Sequence, residues 1–116
     1  MPSEIYMLTI DCHDHDRVAT FWQHALGYQR AFADRDEIAI EPPDGATGMA
    51  LLFGRAPDAK VVKNRLHLDL NPSDQASEVA RLKSLGAREV DIGQKDVSWV
   101  VMADPEDNEF CILTPR

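Results

Sequence analysis

Met7-Leu8-Thr9-Ile10-Asp11 and, sixty positions further on, His67-Leu68-Asp69-Leu70-Asn71 are the two stretches on which the reading of the fold turns. In the first, Tyr6, Leu8 and Ile10 alternate with Met7, Thr9 and Asp11. In the second, Leu66, Leu68 and Leu70 alternate with Arg65, His67, Asp69 and Asn71. Side chains of a strand point to opposite faces in turn, so period-2 spacing of this kind predicts strands over Ile5 to Asp11 and Arg65 to Asn71. The leucine face of the second strand is expected to pack on a helix. Its opposite face carries Arg65, His67, Asp69 and Asn71.

The pattern after each of these strands is repeated too. Val18, Phe21, Trp22, Ala25 and Leu26 stand at i, i+3, i+4, i+7 and i+8, one apolar face of a helix. Asp14 or Asp16 supplies the N-terminal cap and Gly27 the C-terminal one. Three short strands are expected around Gln29–Ala33, Glu37–Glu41 and Met49–Phe53. Residues 55–63 are polar and aperiodic, so they read as a connector. After the second strand, Pro72–Leu85 carries a helix with Ala76, Val79, Ala80, Leu82 and Leu85 as apolar positions, ended by Gly86. Strands are expected at Arg88–Ile92, Val97–Met102 and Glu109–Leu113.

Both halves therefore read β-α-β-β-β. Met49-Ala50-Leu51-Leu52-Phe53 maps onto Glu109-Phe110-Cys111-Ile112-Leu113 with the same offset of 60, and the two Leu-Gly helix ends differ by 59. A module of this size covers one face of its sheet with its helix and leaves the other in need of a partner. The expected architecture is α+β: two tandem βαβββ modules forming a curved mixed sheet that bears a cleft, with the helices outside. Module one spans about 4–54 and module two about 64–114 of a single domain, 1–116. The cleft is the default ligand site.

Composition narrows the function classes. With 116 residues, 44% hydrophobic and 28% charged, the chain has ordinary globular usage. Twenty acidic against twelve basic residues give a net charge of −8. That sign repels phosphate backbones and anionic lipid, so neither nucleic acid nor membrane is an expected partner, while a cationic ligand is favoured. No basic start leads into an apolar segment, and Cys12 and Cys111 build no disulfide framework. A reduced, cytoplasmic protein is expected.

Leu8-Thr9-Ile10-Asp11, Phe21-Trp22, Ala25-Leu26-Gly27-Tyr28, His67-Leu68-Asp69-Leu70 and Asp104-Pro105-Glu106-Asp107-Asn108-Glu109-Phe110 occur in an order that resembles the glyoxalase/bleomycin-resistance (vicinal oxygen chelate, VOC) superfamily. The resemblance covers nearly the whole chain. It implies a cleft whose metal ligands, in metal-using members, are His, Glu or Gln on the first and last strands of each module. Carried onto this chain, those four positions are Met7, Leu51, His67 and Cys111. Only His67 is an ordinary ligand for a borderline cation, Cys111 suits a softer one, and Leu51 cannot ligate. No metal or other cofactor is therefore expected. Should a divalent metal bind, its candidate ligands are His67, Glu109 and Cys111, with an aspartate.

The resemblance favours a small-molecule-binding protein, like the antibiotic-binding members, acting as a homodimer. The candidate ligand-binding residues are Arg65, His67, Asp69, Asp11, Trp99 and Glu109. Trp99 is a platform for a flat or cationic ligand if it faces the cleft. The alternative is a lyase or isomerase of the superfamily, either metal-dependent or assisted by His67 as the catalytic base. Glyoxalase I activity itself is not expected, because glutathione-handling members place a basic residue near Asp11. His13-Asp14-His15-Asp16 reads as a helix-capping loop, Trp22 as core and Cys111 as a small buried hydrophobe.

Overall fold

The apolar face of the first helix does what its spacing predicts. In a computed structural model that describes residues 1–116, helix α1 (His15–Leu26) buries Val18, Ala19, Phe21, Trp22 and Ala25. Asp14 is the residue that caps it, its Oδ1 accepting from the Arg17 N–H at 3.2 Å, and Gly27 ends it at φ +68°. Phe21 and Trp22 meet edge to face with ring centroids 5.1 Å apart. Full burial of side chains of this size stabilises by about 1.5–3 kcal/mol each, so this face is a principal source of the first unit's stability.

The chain divides into two compact units, Met1–Ala59 and Lys60–Arg116. In the first, α1 packs against a four-stranded mixed sheet of β1 (Met7–Cys12), β2 (Gln29–Ala33), β3 (Glu37–Glu41) and β4 (Ala50–Arg55), in the order β1-β4-β3-β2. β1 and β4 are parallel and the other neighbours antiparallel. Ile38, Ile40, Leu51 and Phe53 are buried.

The second unit repeats the order: β5 (Asp69–Leu70), α2 (Gln75–Ser84), β6 (Arg88–Glu89), β7 (Val100–Ala103) and β8 (Glu109–Ile112), arranged β5-β8-β7-β6. Asp74 caps α2 by accepting from the Ala76 N–H and the Ser77 hydroxyl. Gln75 reaches from the helix start to the carbonyls of Ser98 and Ile112, at 2.8 and 3.0 Å. The chain is thus α+β, with two βαβββ units each built on a mixed sheet.

Three expectations are corrected. The strand expected over Arg65 to Asn71 is regular only at Asp69–Leu70, and Leu66 is 83% exposed instead of packed on a helix. Its backbone pairing starts where Cys111 N–H donates to the Leu68 carbonyl; upstream, the Asn64 N–H is taken by the Glu109 carboxylate. Helix α2 starts at Gln75, and Ala76 and Ala80 face solvent. Last, the repeat is not uniform. Thr9 pairs with Leu52 and Asp69 with Cys111, so the offset is 60 on the first strand of each unit but 59 on the last. One residue of slip exchanges the faces of a strand. Leu51 pairs with Leu8 and is buried in the core, while Met7 shares its face with Ala50 and Leu52.

Candidate functional site

On the second unit's sheet, Asp69, Cys111 and Val101 are ladder neighbours and point to one face, opposite the buried Phe110, Ile112 and Met102. Glu109, two residues before Cys111 on β8, continues that face. These face residues and His67, in the irregular segment just before β5, line a groove of about 550 Å³, walled by Ile92, Leu113 and Trp99, with Lys63 and Gln94 at its polar edge. All of it is built from the second unit.

Within the groove, His67 Nδ1 lies 3.0 Å from Asp69 Oδ1, with the two side chains 40% and 49% exposed. The carboxylate also bears on Cys111. Burial pushes the Cys111 thiol up from its ordinary range, and the charge and hydrogen bond of Asp69 push it further, against a smaller opposing effect of Lys63. Cys111 is therefore a protonated thiol at neutral pH, donating towards Asp69. One ligand atom from each of His67, Asp69 and Cys111 falls within 4.8 Å of the others.

Glu109 is committed elsewhere. Its Oε1 accepts from the Asn64 N–H at 2.8 Å and its Oε2 from the Lys60 ammonium at 3.0 Å, with 14% of the side chain exposed. Burial alone would raise this carboxyl. The Asn64 and Lys60 hydrogen bonds, its own backbone N–H and the lysine's charge outweigh burial and hold it below the usual range. Both of its oxygens thus accept hydrogen bonds, while the groups whose ligand atoms lie within 4.8 Å of one another are His67, Asp69 and Cys111.

Of the residues singled out in the sequence, His67, Asp69, Trp99 and Glu109 come together in this groove. Arg65 is exposed and outside its lining. Asp11 belongs to the first unit, on β1 opposite Gly54. There the open sheet face forms an apolar groove of about 440 Å³ lined by Met7, Phe32, Ala39 and Leu52 among others. Trp99 is 41% exposed, in contrast to Trp22 in the core. Lys60, Lys63 and Asn64 escaped sequence reading because their segment has no periodicity. Two lysines four to seven residues before a polar strand face were the available signal.

The family positions for a metal, re-registered to Met7, Leu52, His67 and Cys111, do not make the superfamily's donor set. Leu52 is a hydrocarbon, Met7 a weak thioether, and no carboxylate stands at any of the four.

The glyoxalase-like domain profile matches residues 7–113. No curated protein matches the chain. Among solved structures, it resembles a glyoxalase/bleomycin resistance protein/dioxygenase family enzyme from Burkholderia phytofirmans PsJN at 16% identity and a TM-score of 0.69, over 98% of this chain and 100% of that one. A bleomycin-binding protein from Streptomyces verticillus, solved with copper(II)-bleomycin, aligns at 16% identity and a TM-score of 0.64 over all of both chains. The fosfomycin resistance protein FosX from Listeria monocytogenes, an E126Q mutant solved with Mn(II) and 1S,2S-dihydroxypropylphosphonic acid, aligns at 14% identity and a TM-score of 0.76, over 100% of this chain and 93% of that one. At these identities the likeness concerns the fold. No helix is long and apolar enough to cross a membrane.

Proposed function

The chain belongs to the glyoxalase-like domain family, and from that premise we propose that it binds a flat, cationic small molecule in the groove of its second unit, without the superfamily's standard metal set. One observation carries the reading: an exposed indole, Trp99, lines the same groove as the Asp69 carboxylate, between apolar walls. An aromatic face attracts a cation by its quadrupole and offers a stacking plane, and a nearby carboxylate adds charge complementarity. The net charge of −8 draws the same class of ligand from solution. Relatives of this fold include a bleomycin-binding protein solved with copper(II)-bleomycin, which makes that antibiotic a natural first probe.

In this reading the chain acts as one glyoxalase-like domain, in the cytoplasm and as a homodimer. Cys12 and Cys111 are buried and form no disulfide, in keeping with a reducing compartment. His67 and Asp69 orient the ligand, and Glu109 holds the segment from Lys60 to Asn64 at the groove's edge. Arg65 and Asp11, outside this groove, have no part in it.

The test is a tryptophan-fluorescence and thermal-shift screen of chelator-treated protein with metal-free bleomycin, 1-methylquinolinium and neutral quinoline. The expected result is quenching and a raised Tm with the cations, lost in Trp99→Phe for the quenching and in Trp99→Ala for both. Silence with every cation in the panel overturns the reading.

A second reading, a His67-assisted lyase or isomerase, is favoured by one feature: the 3.0 Å contact to Asp69 that orients the imidazole for proton transfer. Exchange of solvent deuterium into an α-hydroxyketone, abolished in His67→Ala, is its signature.

A further inference from the structure

We infer that His67, Asp69 and Cys111 form a one-unit binding site for a borderline divalent cation of the zinc class, in place of the superfamily's four-position set. This inference does not rest on the organic-ligand reading.

The donors are set by the sheet. Asp69 and Cys111 are paired across β5 and β8, and the irregular segment just before β5 brings His67 Nδ1 to 3.0 Å from Asp69 Oδ1. A tetrahedral zinc ion with sulfur at about 2.3 Å and nitrogen or oxygen at about 2.0–2.2 Å needs donors about 3.3–3.7 Å apart. His67 and Asp69 stand 3.0 Å apart and all three donors lie within 4.8 Å. Side-chain rotations that move donors by about 1–1.5 Å therefore close the set. His67 and Asp69 are exposed, and the buried Cys111 is carried on β8.

The chemistry of the donors selects the ion. Thiolate and imidazole favour zinc or cobalt over magnesium or manganese, which prefer oxygen. Charge closes as well. Binding releases the Cys111 thiol proton to solvent, and thiolate plus Asp69 carboxylate neutralise a divalent ion. The imidazole binds uncharged, and the ion replaces the hydrogen bond between His67 and Asp69. Three protein donors leave a fourth position for water or for a ligand in the groove. Glu109, held by Lys60 and Asn64, stays outside the set.

Cobalt(II) reads this site directly, because thiolate coordination gives an intense near-ultraviolet charge-transfer band and four-coordination gives strong visible bands. Reduced, chelator-stripped full-length protein is titrated with Co(II) alone. The expected result is both sets of bands saturating at one equivalent, bleached by Zn(II) and untouched by equimolar Mn(II). His67→Ala, a change at an exposed side chain, weakens binding at least tenfold. Cys111→Ser removes the near-ultraviolet band and Cys12→Ser keeps it. No charge-transfer band at millimolar Co(II), or a band that survives Cys111→Ser or is lost in a folded Cys12→Ser protein, overturns the inference. The fluorescence screen uses metal-stripped protein, so the two proposals fail separately.

Discussion

Nδ1 of His67 stands 3.0 Å from Oδ1 of Asp69, and Asp69 is in turn the ladder neighbour of Cys111. Three chemically different side chains thus share one small area of one sheet face, in a groove that an exposed indole also lines. On the opposite face of the same sheet, Phe110, Ile112 and Met102 build the core. The sheet's alternation therefore separates a stabilising face from a reactive one, and mutations on the two are expected to behave differently.

The turn before β8 is a case on the stabilising side. Asp104 is fully buried, and its carboxylate accepts from the N–H groups of Glu106 and Asn108, at 2.9 and 3.0 Å, and from the Asn108 side-chain amide. Hydrogen bonds to a charged group are worth about 1.5–3 kcal/mol, and the abandoned donors are poorly hydrated, so Asp104→Ala is expected to cost about 3 kcal/mol in urea unfolding. Asp104→Asn recovers part of it.

Asp107, in the same turn, sits at φ +70°, in the left-handed region that favours glycine. Left-handed backbone costs a side-chain-bearing residue about 1–2 kcal/mol, least for Asp and Asn. Asp107 also pairs with Arg88, both more than half exposed, a contact worth little. Asp107→Gly is expected to leave the urea midpoint nearly unchanged, and Asp107→Val to lower stability by about 1–2 kcal/mol.

Glu109 makes the second unit acid-sensitive. Its carboxyl is held below the ordinary value of 4.5 in the folded chain and returns to it on unfolding. Its stabilising contribution is therefore complete above the unfolded value and disappears as the pH falls through the lower, folded value. Stability of the wild type should drop over that acid window, and Glu109→Gln should show a shallower drop. Amide exchange at Asn64, whose N–H the carboxylate accepts, reports the same event locally: protection is expected at neutral pH and its loss in Glu109→Gln.

Much of this was legible in the sequence. The βαβββ order of each half and the buried face of α1 came from periodicity and a repeat, because those signals record which side chains leave water. The family came from the resemblance of short motifs and their order. That Glu109 shares a strand face with Cys111 was readable from alternation. Three things were not. The irregular path before Asp69 depends on a carboxylate, Glu109, taking the N–H of Asn64, a contact across forty-five residues without local trace. The position of Leu51 failed because one residue of slip in the repeat inverts a strand, and an offset counted along the chain does not register pleat. The engagement of Glu109 by Lys60 was not readable either, because the segment that carries the lysine has no periodicity.

The groove reading rests on Trp99 and Asp69 acting together on a cation, and one titration tests that most directly: the affinity of metal-stripped protein for 1-methylquinolinium and for neutral quinoline at about pH 8, where quinoline is uncharged, in wild type and Asp69→Asn. The account predicts that the wild type prefers the cation at least fivefold, that Asp69→Asn removes most of this preference, and that quinoline binding is unchanged by the substitution. Equal affinity for the two compounds in the wild type, or a cation preference that survives Asp69→Asn, would contradict it.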